Sequence, residues 1–129
     1  IDNLVKLQNI TPANILPQHS DDILLAGIRL FCQHIEVTDS GKYITLWQQL
    51  FKQLSSQKAM VLRDFHADNL FWQPKRQGNR KTAIIDFQDA SIGNPAYDLV
   101  SLLEDARHYV EPELRSEMIS YYLEQKNGY

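Results

Sequence analysis

Residues 59–87 constrain the fold more than any other part of the chain. The helical spacing found on both sides gives way there to short apolar runs of β type: AMVLR (59–63), NLFWQ (69–73) and KTAIIDF (81–87). The last two are joined by PKRQGNR, a turn-rich connection containing a glycine, which predicts an antiparallel hairpin. Polar residues crowd the ends of these runs. Arg63, Asp64, His66, Asp68 and Asn69 follow the first, and Asp86 ends the last. Polar groups at this density are costly to hold in place unless they serve a site.

The flanking segments read as helices. The stretch to about His19, with Pro12 and Pro17, reads as an irregular lead-in with at most a short helical turn. Ser20, followed by Asp21 and Asp22, predicts a helix start, its hydroxyl accepting an orphan amide hydrogen bond, and a helix to about Ile35 with Ile23, Leu24, Ile28, Phe31 and Ile35 buried. Tyr43, Leu46, Trp47, Leu50, Phe51 and Leu54 fall at steps of three and four, which predicts a helix over 41–55 with this stripe as a core face. From Pro95, AYDLVSLLEDARHYV returns to helical spacing with Leu99, Leu102, Leu103 and Ala106 on one side. Pro112 suits the first turn of a last helix, about fourteen residues long, that turns Leu114, Met118, Tyr121, Tyr122 and Leu123 inward. The expected fold is α+β and mostly α-helical, one domain over 1–129 with a small central β-hairpin.

Composition narrows the function classes. The 129 residues are 43% hydrophobic and 22% charged, ordinary for one globular domain, and 13 basic against 16 acidic residues give a net charge of -3. Lys and Arg are scattered, so no nucleic-acid partner is expected. No apolar run is long enough to span a bilayer and no signal peptide is recognisable, so no membrane partner and a cytoplasmic location are expected. Cys32 stands alone in an apolar segment, which suits packing in a reducing compartment. The chain begins at Ile1 rather than Met, and we expect it to be part of a longer protein.

The polar cluster suggests a chemistry. A hairpin would bring the strand ends together, so the carboxylates of Asp64 and Asp86 and the amide oxygen of Asn69 could converge. Hard oxygen ligands of this kind suit Mg2+, commonly held by one or two side chains and by substrate phosphates. A carboxylate left off the metal could orient a hydroxyl and accept its proton. Together these describe phosphoryl transfer from a metal-bound nucleotide, with ATP as co-substrate. Asp64, His66 and Asp68 alternate as ligands on a metallohydrolase strand might, but His19, His34 and His108 have no clustered partners to complete such a set.

RDFHADN (63–69) has the Asp-x-x-x-x-Asn spacing of a protein-kinase catalytic loop, and IDFQDA with GNPAYDL resembles the metal-binding segment of the aminoglycoside phosphotransferase and choline kinase branch of that superfamily. Within this branch, LRDFHADNLFW and IIDFQDASIGNPAYDLVSLLEDAR resemble bacterial kinases that phosphorylate the anomeric hydroxyl of N-acetylmuramate and N-acetylglucosamine in cell-wall recycling. The resemblance implies the larger, C-terminal lobe of a kinase-like fold, with the hairpin carrying the catalytic and metal-binding loops. It implies Asp64 as the catalytic base, Asn69 and Asp86 as magnesium ligands, and Asp98 as the helix-start acid that holds the catalytic loop by its backbone amides. Arg63 would be a structural partner near that loop, Asp89 would have a secondary ionic role near the metal segment, and His66 matches a histidine common two residues after the base. Leu62, where protein kinases have histidine, and Gln88, in place of glycine, argue against a protein kinase.

With only 5 glycines and no glycine-rich loop, the sequence lacks the phosphate-covering features of the smaller, ATP-binding lobe. That lobe would be the natural intramolecular partner, and 1–129 alone is expected to be inactive. Other acceptors, an aminoglycoside or another small molecule, and a non-catalytic kinase-like binding module are the alternatives to an amino-sugar kinase.

Overall fold

The structure is a computed structural model that describes residues 1–11, 15–54 and 57–127. Its helices are α1 (Asp2–Gln8), α2 (Asp21–His34), α3 (Ser40–Gln53), α4 (Ala96–Leu103) and α5 (Pro112–Asn127). Four short strands, β1 (Ala59–Val61), β2 (Leu70–Trp72), β3 (Thr82–Ile84) and β4 (Ser91–Gly93), form two antiparallel pairs, β1 with β4 and β2 with β3. The α+β, mostly helical class read from the sequence and its hairpin are therefore present. β4 was not expected from the sequence, because SIG offers too short an apolar run to signal a strand by itself.

The core gathers around the start of the polar segment. Leu4 and Val5 of α1, Leu62 and Phe65 of the loop after β1, Leu99 and Leu103 of α4, and Tyr122 of α5 form one buried cluster. A polar chain ties the same helices together. The Tyr122 hydroxyl donates to Gln8 Oε1 at 2.6 Å, and Gln8 Nε2 donates to the carbonyl of Pro95 at 2.7 Å. Both groups are buried and each finds a partner, so the network orients α1 and α5 around the start of α4 at little desolvation cost.

The lead-in is not irregular over 2–8: α1 is a full helix that supplies two of the most buried side chains, and Pro12 lies outside the described residues. The stretch after it extends the β1/β4 pair, with the His19 amide donating to the Ile92 carbonyl at 2.7 Å and the Ile92 amide to the Pro17 carbonyl at 2.8 Å. Ser20 occupies the N-cap of α2 but makes no side-chain cap bond, whereas Asp39 caps α3 by accepting from the Lys42 amide at 2.9 Å.

The predicted core faces of α2 and α3 are not core. Leu25 is buried, while Ile23, Phe31 and Ile35 are exposed, and no residue of α3 is buried. The two helices pack on each other with Phe31 of α2 stacked on Tyr43 of α3 at 6.2 Å, and within α3 Trp47 lies against Phe51 at 5.7 Å. Leu24 and Ile28 of α2, with Trp47 and Phe51 of α3, line a cleft of about 510 Å³ that faces Tyr97 and Val100 of α4. Periodicity located the stripe correctly, but it says nothing of whether a partner fills the space opposite. The end of the helix predicted over 41–55 also shifts, since α3 stops at Gln53 and residue 55 lies outside the described residues.

α4 stops at Leu103, so Ala106 lies beyond it and faces none of the core. Among the described side chains of α5 only Tyr122 is buried, with Met118 packed against the core from its edge, while Leu114 and Leu123 are exposed.

Gly93 marks the tightest approach in this frame. A Cβ there would meet Val61 Cγ2 at 2.9 Å and His19 Cβ at 3.2 Å, and Val61 has no exposed surface into which to retreat. Gly27, inside α2, has nothing within 4 Å of its notional Cβ. We therefore expect Gly93→Ala to destabilise by about 1–3 kcal/mol and Gly27→Ala to stabilise by about 0.5–1 kcal/mol, both read as shifts in the urea unfolding midpoint.

Candidate active site

The polar segment leaves β1 and turns at once. Asp98, with 0% of its surface exposed, accepts the backbone amides of Leu62 at 2.8 Å and Arg63 at 3.0 Å, one on each carboxylate oxygen. These bonds fix the chain as it passes from strand to loop. Arg63 is then forced to φ 74°, a left-handed conformation that few side chains adopt. Strain of this kind persists only where the surroundings over-determine it, and here the buried carboxylate does so. Burial holds the Asp98 carboxyl above the ordinary range, against the opposing pull of the two amides.

Asp64 follows, exposed at the loop surface. Its carbonyl accepts from the Asn69 side-chain nitrogen at 2.9 Å, across the 3₁₀ turn of Ala67–Asn69. That nitrogen also points at His66 Nε2, 3.2 Å away, so in this arrangement Nε2 acts as the acceptor and Nδ1 carries the ring proton. Buried Asn69 thus turns its nitrogen toward the protein, and no described hydrogen bond engages its Oδ1.

The hairpin joins this loop to Asp86. Leu70 pairs with Ile84, and the Ile85 amide donates to the Asn69 carbonyl at 3.1 Å, so Asp86 is the next residue along from the one bonded to Asn69. Asp86 is exposed and is the other non-glycine residue at positive φ, 60°. The two strained residues among those described therefore fall in the two polar loops. Asp89 lies on an exposed turn closed by the Ala90 amide and the Phe87 carbonyl at 3.1 Å, and no described bond engages its side chain.

Asn69 Oδ1 and the Asp86 carboxylate are hard oxygen donors at neighbouring ends of a paired strand segment, a donor set that fits a magnesium ion sharing its shell with phosphate oxygens. Among the described residues no three or more His, Cys, Asp or Glu side chains gather as a metal cage. Asp64, His66 and Asp68 in particular do not converge as a metallohydrolase site would require.

Two features of the surroundings escaped the sequence reading. His108 is not without a partner, because its Nε2 lies 2.7 Å from Asp68 Oδ1 and links the segment after α4 to the loop. Asp68, inside the 3₁₀ turn that ends at Asn69, serves this contact. Beside Asp64 there is also a cavity of about 430 Å³ lined by Arg63, His66, Ser101, Glu104, Asp105 and Arg107. The residues after Leu103 appeared in sequence as a continuing helix, and nothing in their spacing indicated that the chain unwinds to wall a cavity. A larger cavity of about 650 Å³, between α1, the hairpin and α5, contains none of the polar loop residues.

A phosphotransferase enzyme family model matches residues 1–129. The chain belongs to that family. Among curated relatives, the N-acetylmuramate/N-acetylglucosamine kinase of Neisseria meningitidis is 35% identical over 135 residues, covering 97% of this chain and 39% of the relative. The kinase of the same name from Caulobacter vibrioides is 48% identical over 61 residues, 47% of this chain and 17% of the relative. A third of that name, from Pseudomonas aeruginosa, is 26% identical over 95% of this chain and 38% of its own length. The chain thus spans about two fifths of the relatives it matches end to end. No helix among the described residues is long and apolar enough to cross a membrane.

Asp98 sets a pH signature. Its folded pKa is raised from the ordinary value of 3.8, so its contribution to stability is fullest below that value and declines as pH rises through the raised folded one. Asp98→Asn, which presents an N–H2 group to one of the two amides, should lower stability by about 1–3 kcal/mol. The gap between native protein and variant should narrow as pH rises from below 3.8 toward neutrality, which unfolding titrations at stepped pH would measure.

Proposed function

We propose that the chain is the larger, C-terminal lobe of an ATP-dependent kinase that phosphorylates a hydroxyl of an amino sugar, N-acetylmuramate or N-acetylglucosamine. The observation that carries this reading is the cross-bonded pair of loops. One stretch of backbone, anchored by Asp98, presents Asp64, and the ladder from Asn69 to Ile85 brings the second loop and Asp86 alongside. The names of the relatives supply the substrate class.

In this reading Asp64 accepts the proton of the acceptor hydroxyl and orients its oxygen toward the transferred phosphoryl group. Asn69 and Asp86 would hold Mg2+, which supplies charge neutralisation for the phosphoryl oxygens when bound. Arg63 and His66 shape the loop between base and ligand, and Asp98 acts through the backbone rather than on substrate. Asp89, exposed beside the metal segment, would act only through its charge.

Phe71, Trp72, Ile85 and Phe87, on and after the hairpin strands, are 49%, 65%, 46% and 60% exposed. Large side chains so open beside the metal loop support a covering ATP-binding lobe in the parent polypeptide, which would bring the phosphate-binding groups that residues 1–129 lack. Catalysis would then need both lobes, and the setting we propose is a cytoplasmic enzyme of cell-wall recycling.

In the parent polypeptide, Asp64→Asn should lower kcat by about 10²- to 10⁴-fold while nucleotide affinity changes little, as coupled ADP-release assays and calorimetry would read. Asp86→Asn should instead raise the magnesium concentration needed for half-maximal turnover. Unchanged turnover in Asp64→Asn would remove the assignment of the base.

A further inference from the structure

The cavity beside Asp64 carries a charge arrangement that phosphoryl transfer does not require. Of its acids, Glu104 is paired with Arg115 at 3.0 Å. Asp105, whose side chain is 2% exposed, accepts both the Nε and the backbone amide of Arg107 on one oxygen, at 2.9 and 3.0 Å. Arg107 is thereby clamped by its inner nitrogen and its own main chain, while its side chain is 57% exposed toward solvent and cavity. No described hydrogen bond engages its terminal nitrogens. A guanidinium held by Nε with its outer edge open is preorganised for a planar anion, because the two parallel N–H groups match a carboxylate and little rotamer entropy remains to be lost.

The two sugars in the relatives' names differ by one such anion. N-acetylmuramate carries a lactyl ether, ending in a carboxylate, on the ring carbon beyond the acetamido-bearing one, and N-acetylglucosamine has a hydroxyl there. A sugar whose reacting hydroxyl lies at Asp64 would extend into the same cavity, on whose wall Arg107 lies.

We propose that Arg107 is the specificity-determining residue for the acidic sugar, its terminal guanidinium nitrogens receiving the lactyl carboxylate while Asp105 holds the side chain in register. This rests on the amino-sugar kinase reading. It makes Arg107 a contact for one of two substrates, with no part in the transfer itself.

The test is steady-state kinetics of the parent polypeptide with each sugar, comparing native protein with Arg107→Gln and Arg107→Lys. The expected result is a shift in the ratio of kcat/KM values toward N-acetylglucosamine of about 10- to 100-fold in Arg107→Gln, the worth of a charge-assisted pair. The shift should lie in KM for N-acetylmuramate and be smaller in Arg107→Lys, which keeps the charge without the fork. Equal losses for both sugars, whether from misfolding around Asp105 or from a role at the phosphoryl group, would overturn the assignment, as would an unchanged ratio. Native protein that turns over neither sugar would instead defeat the amino-sugar reading, and the role of Arg107 would fall with it. The native control therefore separates the two failures.

Discussion

Asp98 lies wholly inside the protein and commits its two oxygens to the amides of Leu62 and Arg63. Burying a carboxyl is costly, and the cost is tolerable only because both oxygens are satisfied and the group sits among the residues that define the core. Leu99, its neighbour in α4, and Leu62, whose amide it binds, belong to the same apolar cluster as Leu4, Val5 and Phe65. The site's backbone is thus fastened to the buried core of the molecule. What the bond holds is a turn the chain would not otherwise make, with Arg63 in a left-handed conformation directly before Asp64.

From that anchor the geometry propagates by short steps. Asn69 closes the loop back on the Asp64 carbonyl, and the Ile85 amide closes the second loop on the Asn69 carbonyl. Each link is a single hydrogen bond worth about 0.5–1.5 kcal/mol net, so no one of them would hold the loops alone. The bond from Ile85 to Asn69 continues the two-stranded β2/β3 ladder, so the loops that carry Asn69 and Asp86 are anchored directly to paired backbone.

Local chemistry was readable where sequence neighbours are also spatial neighbours. Asp64 and Asn69 lie five positions apart on one loop, and the hairpin that aligns Asn69 with Ile85 is announced by its own turn residues, so the central segment could be placed from spacing alone. The helices were readable as helices for the same reason. Their burial was not, because Tyr43, Trp47 and Phe51 would look the same in sequence whether the cleft opposite were filled or open. The fate of α1 was hidden by the prolines that follow it, and Asp105 with Arg107 by a helical rhythm that outlasts the helix. Long-range polar partners such as His108 with Asp68, forty positions apart, leave no local trace.

The anchor makes a demand that can be read one amide at a time. If the Asp98 carboxylate determines the loop, the Leu62 and Arg63 amides should exchange with solvent deuterons only through the openings that expose the core. In Asp98→Ala both should exchange faster by orders of magnitude, while core amides of α4 such as Leu103 should speed up only by the modest loss of global stability. Native-state hydrogen exchange of these two positions is the measurement. Selective loss of protection at Leu62 and Arg63 is the predicted result, and protection in the variant equal to that of the native protein would contradict the account.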